Sequence, residues 1–536
     1  MGSIQLLDCT LRDGAYIVDA RFGSQAISGI VRKLLSAGVD LIECGWLKDK
    51  RHEFGTSFYH VPEDFAKYLQ VEKGSTPLVA MIDWDRYDDS VLPVCDHQTI
   101  DAVRVVFPRG RHREGIEIAQ RIADKGYQIY LQAAGTMAYT DEELIELAKA
   151  VNGSSTQGLS VVDTFGAMYE EDLTHIAGLL DEWLDPRIRL GFHSHNNQQL
   201  SFALSMAFVR MFAQSERSII VDASLCGMGR GAGNTTTELL ASYLDRCHHG
   251  HYDMDEIMDA IDLYMSYFQE KYQWGYSTPY FIAGLYGSHV NNIAYLLTNH
   301  RTSSRDMRAI IESLTPEERR HYDYDLLEQR YLDNQSRKVR DDEALEELRR
   351  VTAGRQVMLL APGRSIVTQR EQVQQYMDQN HPLVIGVNAV NAGYTVDYLF
   401  YCSSVRYRYS RETGGAEFVH TPKILLSNVR ERAGDNELLI GFERVYKGGW
   451  RYFDNAVIDC LRLLDILGVT QVAIAGFDGF KHQYNESYAD EHMPTLNPDN
   501  KWDELNDEIR QMMQDFRAHA QNVEEITFVT ESLFVG

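Results

Sequence analysis

Short apolar runs alternate with amphipathic segments over the first half of the chain, and this pattern predicts eight strands, each followed by a helix. The predicted strands cover residues 4–8, 41–44, 77–82, 102–107, 128–132, 159–163, 188–193 and 219–222. Helical periodicity falls between them, for example over 25–37, 114–125, 141–151, 170–183 and 198–212, and the last predicted helix covers 235–247. Eight such repeats favour a closed (β/α)8 barrel, with an open doubly wound sheet as the alternative.

Polar residues stand at the C-terminal end of nearly every predicted strand. They are Asp8, Glu43, Asp83, Arg104, Gln132, Asp163, His193 and Asp222. Active sites of (β/α)8 barrels are built at that end of the strands. A polar residue at almost every strand end therefore predicts a functional site and is hard to explain as packing.

The pattern predicts three regions along the chain. The barrel takes residues 1–250, and a helical extension and linker follows over 251–352, where residues 315–350 carry both signs of charge and predict solvated connecting helices. A new strand–loop pattern opens in 353–536, with strands predicted at 357–360, 383–387, 398–401, 423–426, 472–475 and 526–529. This last region is interpreted as a separate α/β, Rossmann-like domain with an open, mostly parallel sheet.

Composition narrows the class of protein. A chain of 536 residues with a formal net charge of −26 is too long for one ordinary domain and argues against nucleic acid or an anionic membrane as a partner. The seven cysteines include no CxxC pair, which indicates reduced thiols. With no signal-peptide pattern and no run long enough to span a bilayer, a cytoplasmic location is expected.

The segment 191–196, Gly-Phe-His-Ser-His-Asn, carries the strongest chemical signal. In a strand, residues two apart face the same side, so His193 and His195 project together from the strand's C-terminal end. Paired histidines can also be hydrogen-bonded core residues, but here Asp13, just after the first strand, can supply the oxygen ligand they lack. The pattern predicts a divalent metal site.

Three motifs in this order, 7–14, 191–196 and 222–234, resemble the DRE-TIM metallolyase superfamily, and within it the 4-hydroxy-2-oxovalerate aldolases. The resemblance covers about residues 4–300. It implies a metal held by Asp13, His193 and His195, with Asn234 as a further metal-side ligand, and a catalytic arginine at Arg12. Mn²⁺ or Mg²⁺ is favoured, with Zn²⁺ as an alternative, and the implied substrate is a 2-oxo acid or an aldehyde.

The residue chemistry agrees with that resemblance. A cation with two His and one Asp keeps open positions that can chelate a 2-oxo acid, and cation and guanidinium together can stabilise an enolate. The alternative for Arg12 and Asp13 is a structural ion pair. Glu43 is interpreted either as the residue that orients Arg12 or as a plain structural partner.

Tyr16 marks a departure from the aldolase pattern. The resemblance places the general base, a histidine, three residues after the metal aspartate, where this chain has Tyr16. A phenol with an ordinary pKa near 10 is a poor base at neutral pH. Tyr16 is therefore interpreted as a proton relay beside metal and Arg12, or as an aromatic wall.

The glycine-rich segment 227–233 has the look of a dinucleotide fingerprint. Seven predicted strands precede it, and the acidic residue expected about twenty positions later is missing, which argues against a nicotinamide site. We expect these glycines to let the backbone approach a ligand closely.

The C-terminal region weakly resembles bacterial sialyltransferase-like glycosyltransferase domains, through 359–365, 384–388, 397–400 and 475–479. The resemblance implies a nucleotide or nucleotide-sugar at the turn after the first strand, with Gly363, Arg364 and Ser365 at the phosphates and Asn388 in the same crevice. The alternative is an ordinary strand–helix turn in a regulatory or assembly domain.

Two hypotheses follow. The first is a cytoplasmic, metal-dependent aldolase or lyase, forming a homo-oligomer and serving the synthesis of an unusual sugar or surface polysaccharide. The second is a nucleotide-binding or glycosyltransferase-like protein whose barrel is a non-catalytic scaffold. The metal content of the protein discriminates between them.

Overall fold

The computed structural model describes residues 2–300, 302–336, 338–391, 393–429, 436–450, 455–481, 487–495 and 501–535. The chain forms two compact units, residues 1–290 with 319–321, and residues 291–318 with 322–536. Within the described ranges, none of the helices combines the length and the apolar character needed to cross a bilayer.

The first unit is built on a closed parallel barrel. Its strands are β1 Ile4–Asp8, β2 Leu41–Leu47, β3 Phe58–Tyr59, β4 Leu78–Asp83, β5 Ala102–Phe107, β6 Gln128–Ala133, β7 Gly158–Asp163, β8 Arg189–Ser194 and β9 Ile219–Ala223. The order is β1-β9-β8-β7-β6-β5-β4-β2-β3, and a further pairing of β1 with β2 closes the ring. The short strand β3 adds to the outside edge of β2, so eight strands form the predicted barrel.

Helices surround this barrel on most sides. They are α1 Thr10–Asp13, α2 Ala15–Val18, α3 Ser24–Ser36, α4 His112–Ala123, α5 Asp141–Asn152, α6 Glu170–Trp183, α7 Ser201–Phe212, α8 Thr237–Arg246, α9 Met254–Ala260, α10 Ser266–Lys271 and α11 Thr278–Tyr286. A π-helical turn, Ile261–Met265, joins α9 to α10.

The prediction of an α-helix after every strand is wrong for β2 and β4. Only the 3-10 turns Pro62–Lys67 and Asp89–Val91 follow these strands. After β2, the buried rings of Tyr59, Phe65 and Tyr68 contact one another. They bury the apolar area that a helix would otherwise supply.

The second unit contains an open sheet in which every strand is parallel to its neighbours. The strands are β10 Val357–Leu360, β11 Leu383–Val387, β12 Tyr398–Tyr401, β13 Lys423–Leu426, β14 Glu437–Ile440, β15 Gln471–Ala475 and β16 Glu525–Phe528. Their order is β14-β13-β12-β11-β10-β15-β16. The predicted parallel α/β architecture is confirmed, while β14 was not among the predicted strands.

The helices from residue 290 onward are α12 Val290–Asn299, α13 Ser304–Ser313, α14 Pro316–Arg320, α15 Tyr324–Gln335, α16 Asp342–Thr352, α17 Ser365–Thr368, α18 Arg370–Asn380, α19 Ser404–Thr413, α20 Gly415–His420, α21 Ala456–Leu467 and α22 Trp502–His519. The expectation of purely solvated connecting helices over 315–350 is wrong for α16. Leu345 and Leu348 are buried there, one turn apart, so one face of the helix is part of the core.

A bulge in β2 depends on Gly45. The register between β2 and β4 shifts between Glu43 and Gly45, where Gly45 has φ = +145°. A Cβ atom at this position would overlap the carbonyl oxygen of Ser57. We expect Gly45→Ala to lower the free energy of unfolding by about 1–3 kcal/mol, because both backbone strain and overlap result. Chemical denaturation measures this change.

Gly178 provides the matched control. It lies in α6, and a Cβ there would meet no atom within 4 Å. Gly178→Ala should raise stability by roughly 0.5–1 kcal/mol, since alanine is the better helix former. Equal stability changes in the two variants would contradict the role given to Gly45.

Candidate active site

The side chains that fill the interior of the barrel change from apolar to polar and charged between two successive layers. A lower layer of buried apolar side chains includes Leu41, Ala102, Tyr130 and Ile220. Since inward-facing positions recur every second residue, the next layer toward the C-terminal ends follows two positions later. It consists of Glu43, Arg104, Gln132 and Asp222.

Arg104 connects this charged layer. Its Nη2 atom donates to Gln132 Oε1 at 2.7 Å and to Asp222 Oδ2 at 2.6 Å, and its Nη1 atom donates to Glu43 Oε2 at 3.3 Å. Burial of Asp222 favours its neutral form, but the nearby guanidinium still lowers its pKa. Pairing of this kind is required because an unpaired buried charge is strongly destabilising.

Arg12 is held beside this network from α1, directly after β1. Its Nε atom donates to Glu43 Oε2 at 2.7 Å and its Nη1 atom donates to Asp13 Oδ1 at 2.8 Å. Its carbonyl oxygen accepts a hydrogen bond of 3.1 Å from Trp46 Nε1. The geometry therefore gives Glu43 contacts with two guanidiniums, one from the loop and one from the barrel wall.

Asp13, His193 and His195 converge in the same place. All three are buried, and one ligand-type atom from each lies within 4.8 Å of the other two. Asp13 Oδ2 is 3.9 Å from His193 Nε2 and 3.9 Å from His195 Nδ1. Metal ions lie about 2.0–2.2 Å from nitrogen and oxygen ligands. Separations of this size between ligand atoms are therefore compatible with one shared ion.

The protonation of these groups suits a cation. Burial lowers the pKa of His195 to about 4, so its imidazole is neutral at pH 7. Burial opposes ionisation of Asp13, but Arg12 and the two imidazoles hold its pKa well below the ordinary value. A neutral imidazole and an ionised carboxylate are the forms that bind metals.

Hydrogen bonding leaves suitable atoms available. His193 Nδ1 lies 3.0 Å from Asp222 Oδ2, which leaves Nε2 on the side of Asp13. His195 Nδ1 and Asn234 Oδ1 are buried and have no hydrogen-bond partner among the residues that the structure describes. Two buried atoms without a hydrogen-bond partner among the described residues, beside a carboxylate, fit a set of cation ligands, since buried polar atoms are normally paired.

Asn234 reaches the cluster through the glycine-rich segment. Its Nδ2 atom donates to Asp13 Oδ2 at 2.5 Å, and a β-bridge joins it to His195. A Cβ at Gly229 would lie 2.8 Å from Asp13 Oδ2. The backbone at Gly229 thus lies directly against the candidate ligand cluster, while the predicted close approach to a bound ligand stays a prediction.

Tyr16 lies in α2 at the edge of the site. Half of its side chain is exposed, and its ring contacts that of Trp46 edge-on, with centroids 6.1 Å apart. The guanidinium of Arg230 lies 4.9 Å from the Tyr16 ring centroid. Desolvation outweighs this nearby cation and raises the pKa of Tyr16 to about 12, so the phenol is protonated at neutral pH.

The fold places several residues at the candidate active site to which the sequence pattern assigns no catalytic or metal-binding role. Arg104 and Asp222 were noted only as polar strand ends, although a charged residue inside an apolar strand was the available signal. Arg230 and His289, whose side chains lie 3.3 Å apart, carried no recognisable signal because the fold alone joins them.

Of the C-terminal candidates, Gly363 and Asn388 line a cavity of about 130 Å³ in the second unit, while Arg364 and Ser365 are not among its lining residues. The amide of Gly363 already donates to Gly476 O at 2.9 Å. The amide of Ser365 donates to Asp478 Oδ2 at 2.7 Å, and its hydroxyl also bonds Asp478. Arg364 precedes α17 as its N-cap.

Asn388, which follows β11, is also engaged within the protein, because its Oδ1 atom accepts a hydrogen bond of 3.1 Å from the amide of Cys402. Much of the turn's hydrogen-bonding capacity is thus used internally.

Comparison with known proteins finds similarity over the N-terminal half of the chain. The HMGL-like family profile matches residues 106–263. A 4-hydroxy-2-oxovalerate aldolase of Moorella thermoacetica is 26% identical over 326 residues, covering 58% of this chain and 91% of the relative. An oxaloacetate decarboxylase of Mycobacterium tuberculosis is 25% identical over 264 residues, covering 48% and 74%. Among solved structures, the HMG-CoA lyase of Bacillus subtilis covers 50% of this chain and 94% of its own, at 14% identity and a TM-score of 0.39.

The barrel and its relatives define an enzyme of the carbon–carbon lyase class. More particularly, the chain carries an HMGL-like domain of the DRE-TIM type. The resemblance inferred from the three N-terminal motifs is thereby confirmed.

Loss of a ligand should remove metal binding while the barrel remains folded. His193→Ala removes one imidazole of the cluster above the apolar layer, and Asp13→Asn removes its negative charge and replaces one carboxylate oxygen by an NH₂ group. We expect the affinity for Mn²⁺ to fall by more than the roughly 10–100-fold loss typical of an outer-shell change. Titration calorimetry and metal content per chain measure this.

Two further variants give an intermediate loss of Mn²⁺ affinity and no loss, for comparison with the ligand variants. Asp222→Asn removes the carboxylate behind His193 and should weaken Mn²⁺ binding about 10–100-fold. His175→Ala changes an exposed histidine in α6 and should change nothing. Full metal occupancy in both ligand variants would contradict the proposed centre.

Proposed function

We propose that the barrel makes or breaks a carbon–carbon bond next to the carbonyl of a 2-oxo acid, with a divalent metal held by Asp13, His193 and His195 and with Asn234 beside it. The observation that carries this proposal is the convergence of these three ligand atoms within 4.8 Å, with the Arg12 guanidinium adjoining them. The family resemblance favours Mn²⁺ or Mg²⁺, and the two imidazoles also suit Zn²⁺, which is the alternative.

The charge of the site supports a cation. Arg12 and Arg104 are two buried guanidiniums, and they face three buried carboxylates, those of Asp13, Glu43 and Asp222. The excess negative charge lies at Asp13, next to the two imidazoles. When bound, a divalent cation would polarise the carbonyl and carboxylate of a 2-oxo acid.

Arg12 is positioned to meet the charge that develops during the reaction. Of the five N–H groups of its guanidinium, the Glu43 and Asp13 contacts use two among the described residues. The remaining three can donate to an oxygen that becomes negative as the bond breaks. Because Glu43 and Asp13 hold the guanidinium in place, this stabilisation needs little reorganisation.

Cleavage of a 4-hydroxy-2-oxo acid requires two proton transfers, one from the substrate hydroxyl group and one to the enolate. The C3–C4 bond breaks, the hydroxyl proton leaves to a base, an aldehyde departs, and the enolate takes a proton to become a 2-oxo acid. Tyr16, which is protonated at neutral pH, is suited to the last transfer and poorly suited to the first.

This state of Tyr16 favours a second candidate reaction, decarboxylation of a 3-carboxylated 2-oxo acid such as oxaloacetate. There the bond to the carboxylate breaks, CO₂ leaves, and the enolate takes one proton. No base is needed, and Tyr16 can donate that proton. One curated relative carries the name oxaloacetate decarboxylase.

For the second unit we propose a nucleotide or nucleotide-sugar ligand at the cavity that Gly363 and Asn388 line, with Arg364 and Ser365 at the adjoining turn. The cavity's place at the C-terminal ends of parallel strands supports this. A lyase barrel joined to such a unit would suit the synthesis of an unusual sugar or of a surface polysaccharide. We further propose that the chain forms a homo-oligomer. A metal-free barrel with intact nucleotide binding would instead support the scaffold hypothesis.

Arg12→Lys should lower kcat by about 100-fold or more and change KM much less. Lysine keeps the charge but loses the planar group that bonds Glu43 and Asp13 while facing the substrate. Steady-state kinetics on 4-hydroxy-2-oxovalerate with Mn²⁺ measures both parameters.

The matched control for this experiment is Arg21→Lys. Arg21 is an exposed arginine paired with Glu53, and the substitution should leave both constants unchanged. An effect of Arg12→Lys on KM alone would show that Arg12 only binds substrate.

The role of Tyr16 can be read from the pH dependence of kcat. A phenol with a pKa near 12 stays protonated from about pH 7 to 9, so a donating Tyr16 gives no rise in kcat over this range. We expect oxaloacetate to be turned over with such a level profile, and Tyr16→Phe to lower kcat.

A kcat that increases with pH in the wild type and becomes level in Tyr16→Phe would mean that Tyr16 acts as a base. That result would favour aldol cleavage over decarboxylation. Tyr16→Phe keeps the aromatic ring that contacts Trp46, so it tests the hydroxyl and leaves the packing in place.

A further inference from the structure

The cavity of the second unit lies where the strand order of the sheet reverses. From β10 the chain adds β11, β12, β13 and β14 on one side, and then β15 and β16 on the other. Residues that follow β10, β11, β12 and β15 line the cavity, among them Gly363, Asn388, Ser403 and Asp478. In open parallel sheets this reversal leaves a crevice in which ligands bind.

Arg406 is the unusual feature of this cavity. It lines the cavity from the first turn of α19 and is only 8% exposed. Its Nη1 atom is buried and has no hydrogen-bond partner within the described ranges. Its guanidinium lies 4.6 Å from the ring centroid of Tyr488, another lining residue. A buried guanidinium nitrogen that has no partner among the described residues calls for an anion, because buried charges are normally paired.

Two helices add to the positive potential. Ser403 is the N-cap of α19 and Asn455 is the N-cap of α21, and both residues line the cavity with the first turns that follow them. The N-terminal ends of these helices carry partial positive charge. By contrast, the carboxylate of Asp478 caps the N-terminal end of α17 and would repel a phosphate there.

The other walls are apolar and aromatic. They include Val387, Phe477, Phe480 and Phe534. The volume of about 130 Å³ accommodates a ring-sized group. A ligand that satisfies both parts of this cavity has a ring system for the apolar walls and an oxyanion for Arg406.

We propose that this crevice binds a nucleoside monophosphate group, alone or within a larger nucleotide, and that Arg406 together with the N-terminal ends of α19 and α21 holds its phosphate. This rests on the nucleotide ligand proposed for the second unit and moves the phosphate away from the Pro362–Ser365 turn. It is independent of the lyase activity of the barrel.

The test uses the full chain and titration calorimetry with CMP, UMP, AMP and GMP, each beside its nucleoside, inorganic phosphate and ribose 5-phosphate. We expect at least one monophosphate to bind at least about tenfold more tightly than its nucleoside. Arg406→Gln should weaken that binding by about tenfold or more. Arg406→Lys keeps the charge and should retain part of the affinity.

Arg411→Gln is the matched control, because Arg411 is an exposed arginine of the same helix α19 that does not line the cavity. Its affinity should equal that of the wild type. Circular dichroism melting shows whether each variant is folded. If Arg406→Gln is not folded, the comparison of Arg406→Lys with wild type and the preference for monophosphate over nucleoside decide the matter.

The outcomes distinguish the nucleotide ligand proposed for the second unit from the phosphate-binding role proposed for Arg406. Absence of binding for every monophosphate at millimolar concentration overturns both the nucleotide ligand and the role of Arg406. Binding that is unchanged in both Arg406 variants leaves the nucleotide ligand standing and overturns the assignment of Arg406. Equal binding of ribose 5-phosphate or inorganic phosphate overturns the need for a base.

Discussion

The need to pair buried charge governs the first unit. Arg104 extends from the wall of the barrel and contacts Glu43 on one side and Asp222 on the other. Through Glu43 this network reaches Arg12, and through Asp222 it reaches His193. Removing any one charge would leave its partners buried with fewer compensating contacts, which destabilises the interior. The same contacts that keep the interior stable therefore also fix the orientation of the catalytic and metal-binding candidates.

This arrangement explains how a barrel places polar groups without losing its core. The pleat of the strands puts Leu41 and Ala102 in the apolar layer and Glu43 and Arg104 in the layer above it. Only the upper layer faces α1, which carries Arg12 and Asp13, and the glycine-rich segment that ends at Asn234. A glycine at 229 allows that loop to lie against Asp13. The site therefore combines rigid strand positions with loops that reach it through close backbone contacts.

The second unit shows how a turn can differ from what its sequence indicates. The segment ending at Ser365 has the small residues that often surround a phosphate, yet Asp478 bonds the amide and hydroxyl of Ser365. The carboxylate comes from the strand end on the other side of the reversal, 113 residues later. The positive charge instead comes from Arg406, in a helix that the sequence pattern alone did not connect with the turn. Long-range pairing thus decides which face of the crevice is positive.

The sequence by itself determined the barrel and the parallel second sheet and predicted the candidate metal ligands Asp13, His193 and His195, because strand periodicity and strand-end position are local properties. It also showed that Tyr16 replaces the expected histidine. It did not determine that β2 and β4 lack following α-helices. After β2, packing among the rings of Tyr59, Phe65 and Tyr68 takes the place of helical packing. Nor did it determine the links from Arg104 to Glu43 and Asp222, which lie 61 and 118 residues away. Those contacts exist only once the barrel closes and brings distant strands within hydrogen-bond distance, so tertiary structure decided the electrostatics of both units.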